Sequence, residues 1–330
     1  MKKSACRARA ALACAFAWVL IGAWSGFAAA QQYPSKTIRL INPLGSGGTA
    51  EMLARTAAKA LSDQLGQVVV VESKAGAAGT IGADYVAKSA PDGYTLLYGV
   101  IGTMSITPAL YAKLPYDPEK DLAPVTILFN GPNVLIVNAS LNVHSVQELI
   151  ALAKSKPGAL TFASAGNGSV AHLSGELFKQ AAGIDMLHVP YKGGGAAVPD
   201  LLSGRVSMMI EPGPNAMALV RSGKVRALAV TTPLRTATAP DVPTMVESGL
   251  PGVVVTTWSG LFAPGGTPQA IVDRLAEEYA RAARNPVYRE QIAAISFEVM
   301  NSTPEQFRSF VREEIAKWSA VVRQSGIRIE

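Results

Sequence analysis

Cysteine occurs only at Cys6 and Cys14, near the start of the chain. The remainder therefore has no thiol nucleophile, no thiolate metal site and no disulfide framework, and at this length it needs none of these to bury a core. Histidine is almost as scarce: His144, His172 and His188 stand alone, without the short spacings of a metal site. No Gly-x-Ser-x-Gly elbow presents a serine. Neither a Gly-Lys-Ser/Thr loop nor a Gly-x-Gly-x-x-Gly turn is present, which removes the usual nucleotide and dinucleotide sites. No Lys/Arg stripe is interleaved with aromatics, so nucleic acid is not an expected partner. No cofactor or metal is expected.

The first thirty residues have their own pattern. Lys2, Lys3, Arg7 and Arg9 precede an apolar run from Ala10 to Ile21, and Ala28-Ala29-Ala30 leads into polar Gln31-Gln32. This is the layout of a secretory signal, with cleavage expected near Ala30 and export to the periplasm. The apolar run is short for a bilayer span, which needs ~20 residues, and no later segment offers one. Removing the signal takes both cysteines and four basic residues with it. A net charge of +6 becomes 26 basic against 24 acidic residues, a net +2. The whole-chain basicity is thus no footprint of an acidic partner.

Beyond the signal, short apolar β-type runs alternate with amphipathic helical patterns. Strands are expected at 37–42, 68–72 and 95–100, with helices at 49–64 and 80–89. A second series has helices at 146–155, 170–182 and 196–202, and strands at 160–163, 186–189, 206–210 and 226–231. This order predicts open, mainly parallel sheets covered on both faces. The tail from Pro268 to Gly326 reads as helical, with Pro268 and Pro304 near helix starts. About 300 residues exceed what one core usually holds, so two lobes are expected. The extended stretches 125–138 and 253–262 read as crossovers forming a two-strand hinge. Lobe 1 is then discontinuous, residues 31–128 plus 255–330, and lobe 2 covers 129–254.

Three strand-to-helix corners are rich in glycine: Asn42 to Thr49, Ser73 to Thr80, and Ser164 to Ser169. Glycine lets backbone N–H groups turn toward an anion, and a helix N-terminus adds positive potential. Corners on neighbouring strands converge at the carboxyl edge of an open α/β sheet, where such folds place ligands. Asn167 can donate and accept. Tyr191 and Glu211 follow strands expected to end at the same edge; Glu211 would repel a carboxylate and accept from an amine or hydroxyl. Each feature also has a plain structural reading: glycines as tight turns, Asn167 as a turn residue, Trp258 as a packed side chain and His172 as a core histidine. Glu277, Glu278, Glu313 and Glu314 read as a solvated helix face. An exported hydrolase using Ser164 or Ser169 is an alternative, but no base accompanies either serine.

The ordered segments Tyr33-Pro34-Ser35-Lys36, Ala90 to Leu97, Leu114-Pro115-Tyr116-Asp117, Gly166-Asn167-Gly168-Ser169, His188 to Gly193, Asp241-Val242-Pro243-Thr244 and Ser302 to Glu305 span nearly the whole exported chain. In them the chain resembles the Bug family, periplasmic solute receptors related to tripartite tricarboxylate transporters. The resemblance implies a two-lobe periplasmic binding fold of type II-like organisation, no enzymatic activity, and uptake through membrane transporter subunits. A sensing adaptor for a membrane signalling protein is the alternative use, and a monomer is expected. The implied ligand is a small organic carboxylate, anchored by Gly47, Gly48, Thr49, Ala77, Ala78 and Gly79. Thr103, Ser164, Asn167, Ser169, Tyr191 and Glu211 are the implied selecting residues. The chain departs from the family pattern at the first corner, where Leu44, Gly45 and Ser46 replace an aromatic residue and prolines, and Glu51 replaces an aspartate. Met104 and Thr107 also differ from the common histidine and asparagine. A looser corner and a thioether near the mouth suit a less polar acid.

Overall fold

The computed structural model describes residues 33–46, 48–111 and 113–327; the signal segment and Gly47 lie outside them. The chain divides into a short unit, Met1–Ser35, and a compact unit, Lys36–Glu330, which carries every element named here. The first series runs β1 (Ile38–Asn42), α1 (Thr49–Leu65), β2 (Val69–Ser73), α2 (Thr80–Ala87) and β3 (Thr95–Val100). It pairs in parallel, with β1 between β2 and β3. A short helix, α3 (Thr107–Leu110), ends the first series, and the second begins with β4 (Leu122–Asn138), α4 (Val146–Ser155), β5 (Thr161–Ser164) and α5 (Val170–Ala182). It continues through β6 (Leu187–Pro190), α6 (Gly194–Ser203), β7 (Met208–Pro212), α7 (Gly213–Arg221) and β8 (Val225–Val230). The return is β9 (Thr256–Pro264), then α8 (Gln269–Ala282), α9 (Pro286–Ala293), β10 (Glu298–Val299) and α10 (Pro304–Ser325).

The strand order β2-β1-β3-β9-β4-β7-β5-β6 mixes directions. β5 lies parallel to β6 and β7, while β9 and β4 run antiparallel to their neighbours at the centre. The parallel βα units predicted from the sequence are therefore closed by antiparallel strands. β4 is the element that makes two sheets of one. Its first part pairs with β9 as far as Pro132, and from Asn133 onward it pairs with β7 and β8.

Past that switch, alternate β4 residues serve different cores. Leu135 and Val137 pack with Phe162, Phe178 and Ile210, whereas Val134 and Ile136 pack with Met209, Val230 and Leu201. Side chains of a strand point alternately to its two faces, so this is the signature of a sheet covered on both sides. The first sheet has a separate core in which Ile41, Leu97, Phe262, Phe307 and Trp318 meet. α10 closes it, and its start is held by a reciprocal cap between Thr303 and Gln306 with Pro304 in the first turn.

Two helical segments were not expected. Gly213–Arg221 starts at a Pro-Gly-Pro run that reads as a break, yet proline is tolerated in a first helical turn because its missing N–H would be unpaired there anyway. Gly102–Leu110 forms a π-type turn leading into α3. The carboxylates at 278 and 314 also depart from the expected solvated face. Glu278 is 4% exposed between Arg274 and Arg281, and Glu314 is 8% exposed. Glu314 accepts from both indoles, Trp258 Nε1 at 3.0 Å and Trp318 Nε1 at 3.2 Å, and pairs with Lys317. Two buried N–H donors and a cation compensate its desolvation.

At the switch, the Asn133 side chain joins both passing chains. Its Nδ2 donates to Val255 O at 3.2 Å and its Oδ1 accepts from Thr257 Oγ1 at 2.9 Å. Its carbonyl accepts from Thr231 N at 2.9 Å, and Val255 N donates to Thr231 O at 3.0 Å. Asn133→Ala removes two side-chain bonds at a residue only 2% exposed. A destabilisation of ~2–3 kcal/mol is expected in denaturant unfolding.

Candidate functional site

A cavity of about 490 Å³ opens where the two series face each other. From the first series it takes Leu44, Thr49, Ala78, Thr103 and Thr107; from the second, Asn167, Gly168, Ser169, Pro214 and Asn215. Thr257, Trp258 and Ser259, in the return strand, form part of its wall. Its size falls within the ~300–1,000 Å³ of small-molecule sites.

The first corner delivers Thr49 as the first residue of α1, so the helix N-terminus borders the cavity. Gly48 has an ordinary extended backbone, φ −100°, and a side chain there would meet nothing. Its identity is not dictated by conformation.

The second corner is unusual. Gly76, Ala77, Ala78 and Gly79 have φ of 138°, 45°, 55° and 91°. Positive φ costs an alanine of order 1–3 kcal/mol unless its surroundings impose it. They do: Gly79 N donates to Gly76 O at 2.9 Å, Thr80 Oγ1 to Ala77 O at 2.8 Å and Thr103 Oγ1 to Ala78 O at 3.1 Å. The bonds hold the carbonyls, while the N–H groups of Ala77 and Ala78 donate to no acceptor among the described residues. A Cβ at Gly79 would collide with Thr103 Oγ1, so only glycine fits. Of this corner, Ala78 is in the cavity wall.

The third corner is organised from behind. Ser164 is fully buried and not in the wall. Its Oγ accepts from Gly166 N at 3.1 Å and lies 3.1 Å from Gly166 O and 2.6 Å from His188 Nε2. The hydroxyl has one proton to place between the Gly166 carbonyl and His188 Nε2, and the direction of the Ser164–His188 bond follows the imidazole tautomer. His172 Nδ1 accepts from Gly168 N at 3.0 Å, and Ser169 Oγ caps the helix by accepting from His172 N at 3.2 Å. The two imidazoles stack 3.7 Å apart at 8°. This arrangement turns Asn167 and Ser169 to the cavity while both histidines stay behind them.

Tyr191 and Glu211 end at the same edge but are not part of the wall. The Tyr191 hydroxyl donates to Asp200 Oδ2 at 2.7 Å. Glu211 is 6% exposed and accepts from Asn215 Nδ2 at 3.1 Å. Burial raises its pKa, and the Asn215 bond offsets part of the rise. Met104, expected near the mouth, is fully buried in the first-sheet core. Sequence reasoning missed Tyr98, Phe297, Pro214 and Asn215. Only Asn215 had a usable signal, as a polar residue one turn beyond the end of a strand.

Two sheets joined by two passing chains, with a cavity between their strand-to-helix corners, define the class of periplasmic solute-binding proteins. The chain belongs to the tripartite tricarboxylate transporter family receptor, whose pattern matches residues 53–327. It is 40% identical to the protein BugT of Bordetella pertussis over 91% of this chain and 93% of that one. Among solved structures, Rpa4515 of R. palustris with adipate has a TM-score of 0.77 at 37% identity, covering 90% of this chain and 99% of that one. MatC of Rhodopseudomonas palustris with bound malate has a TM-score of 0.73 at 35% identity, covering 88% and 100%. The periplasmic binding protein BugD is 34% identical with a TM-score of 0.74, covering 90% and 100%. The chain is accordingly a solute receptor and not an enzyme. Among the described residues no helix is long and apolar enough to cross a membrane.

Burial lowers the pKa of His172 and of His188 from 6.5 to about 4, helped by Lys179 and, for His172, by the facing ring. A histidine held neutral by folding stabilises fully above pH 6.5, and its contribution is lost as pH falls toward 4. Glu211, with its raised pKa, acts in the opposite direction. The melting temperature is expected to fall on acidification from pH 6.5 to 4. In His188→Gln that limb becomes shallower, as thermal melts across the range would show.

Proposed function

We propose that this chain is an extracytoplasmic receptor that closes over a small organic carboxylate and presents it to the membrane subunits of a tripartite tricarboxylate-type transporter. The observation that carries this reading is the cavity itself, whose wall combines the α1 N-terminus, the strained turn at Ala78 and the Asn167–Ser169 corner. These supply backbone and neutral side-chain donors from both series, the groups a carboxylate needs. Relatives sharing over a third of its residues were solved with adipate and with malate, which supports the acid class.

In this reading Gly47, Gly48, Thr49, Ala77, Ala78 and Gly79 anchor the carboxylate, and Thr103, Asn167 and Ser169 orient the rest. Ser164, Tyr191 and Glu211 act from behind the wall. The lobes are placed at about 31–128 with 255–330, and at 129–254, flexing where β4 changes partner. The receptor works as a monomer, without cofactor or nucleic acid, after its signal is removed near Ala30. A sensing role would use the same closure.

Ligand at a hundredfold excess over Kd is expected to stabilise the receptor by about 2.7 kcal/mol. Gly79→Ala, which forces a side chain against Thr103, is expected to weaken binding at least tenfold. Calorimetry with an organic-acid panel, on protein stripped of co-purified ligand, checks both. No response to any acid in the wild type would refute the reading.

A further inference from the structure

The cavity wall contains no Lys, Arg, His, Asp or Glu among the described residues. Much of it is apolar: Leu44, Leu53, Val100, Val170, Trp258 and Phe297. Several of its polar groups are already engaged. Thr103 Oγ1 donates to Ala78 O and Thr257 Oγ1 to Asn133 Oδ1, while Ser169 Oγ accepts from His172 N and keeps its own proton. One carboxylate can be held by backbone donors at the first-series corners. A second, at the other end of the cavity, would find no cation.

It would instead approach Asn215 and, behind it, Glu211. The Glu211 carboxylate must be met by the amide nitrogen of Asn215, not its oxygen, and Nδ2 does lie 3.1 Å from Oε1. That orientation commits one of the two amide N–H groups of Asn215 to Glu211 and leaves the other N–H and the acceptor Oδ1 unspent. A side chain at Gly194 would press on both Glu211 oxygens at 3.1 Å, so the carboxyl is closed in by backbone as well. A ligand dianion would place like charge near a buried, poorly solvated acid.

We infer that this receptor selects a monocarboxylate with an apolar body, aromatic or medium-chain aliphatic, and that Glu211, through Asn215, disfavours a second carboxylate. The inference rests on the proposed function and narrows its ligand. Glu211 is a positioning residue here, acting through the amide that lines the cavity.

The test is titration calorimetry of the stripped receptor with phenylacetate, octanoate, adipate and malate. Phenylacetate or octanoate is expected to bind at least tenfold more tightly than either diacid, with the negative heat-capacity change that marks apolar burial. Glu211→Gln is expected to strengthen adipate at least threefold while phenylacetate moves less than twofold. A structural lesion would weaken both together. Should that variant not fold, Leu44→Asn in the half-buried rim provides a second arm, weakening phenylacetate at least threefold more than adipate. Adipate or malate binding as tightly as the best monoacid would overturn the inference while leaving the carboxylate receptor intact. So would an unchanged acid ratio in the folded Glu211 variant, or equal losses for both acids in the Leu44 variant. Binding of no acid at all would remove the underlying function instead.

Discussion

β4 cannot belong to one sheet. Its early residues are held by β9 and its last six by β7 and β8, so a single extended segment carries the main-chain bonding of both halves. Pro132 marks the handover. Lacking an N–H, it cannot donate to a ladder, and the next residue takes new partners. Asn133 then bonds the passing chains to each other through side chain and backbone. Everything functional follows from this joint: it fixes where the two sets of corners face one another and leaves between them the gap that becomes the cavity. Strand pairing is stiff and a two-chain joint is not, so the proposed flexing between the halves would concentrate here.

The cavity solves an electrostatic problem without charge. An arginine in the wall would bind an anion strongly, but in an empty, partly closed cleft it would also be a poorly solvated cation. Oriented backbone dipoles avoid that penalty because they have no ionised state. The requirement moves to geometry. Four successive residues at positive φ, two of them alanine, are stable only because three hydrogen bonds, one of them from Thr103, hold the turn. Strain stored there is strain that does not have to be introduced when ligand arrives. In the proposed reading such a wall recognises shape and one anionic group well and counts charges poorly, so discrimination between acids would fall to groups one layer behind it.

Much of this was legible before any coordinates. The βα order, helix boundaries such as Val146–Ser155 and Val170–Ala182, and the three glycine corners all rest on local signals, periodicity and turn chemistry. Thr49, Ala78, Thr103, Asn167 and Ser169 come together at one cavity because strand-to-helix corners share an edge by topology. What stayed hidden was non-local. Nothing near Glu314 says that two indoles will reach it from Trp258 and Trp318, and its helical spacing alone reads as surface. Met104 looked like a rim residue until the π-type turn rotated it into the core. Ser164 sits in a loop sequence that suggests contact with ligand, yet its partners come from its own loop and from β6.

The burial of Ser164 behind the cavity wall also argues against the catalytic reading. A nucleophilic serine must give its proton to a base. Here Ser164 Oγ lies 2.6 Å from His188 Nε2, a separation that resembles a dyad, but the serine is fully buried and neither side chain is part of the cavity wall. The other contacts of Ser164 Oγ, with Gly166 N and Gly166 O, hold the loop of the third corner. The bonds around Ser164 and His172 are those that turn Asn167 and Ser169 to the cavity, so in this corner the buried serine and histidines serve the wall from behind.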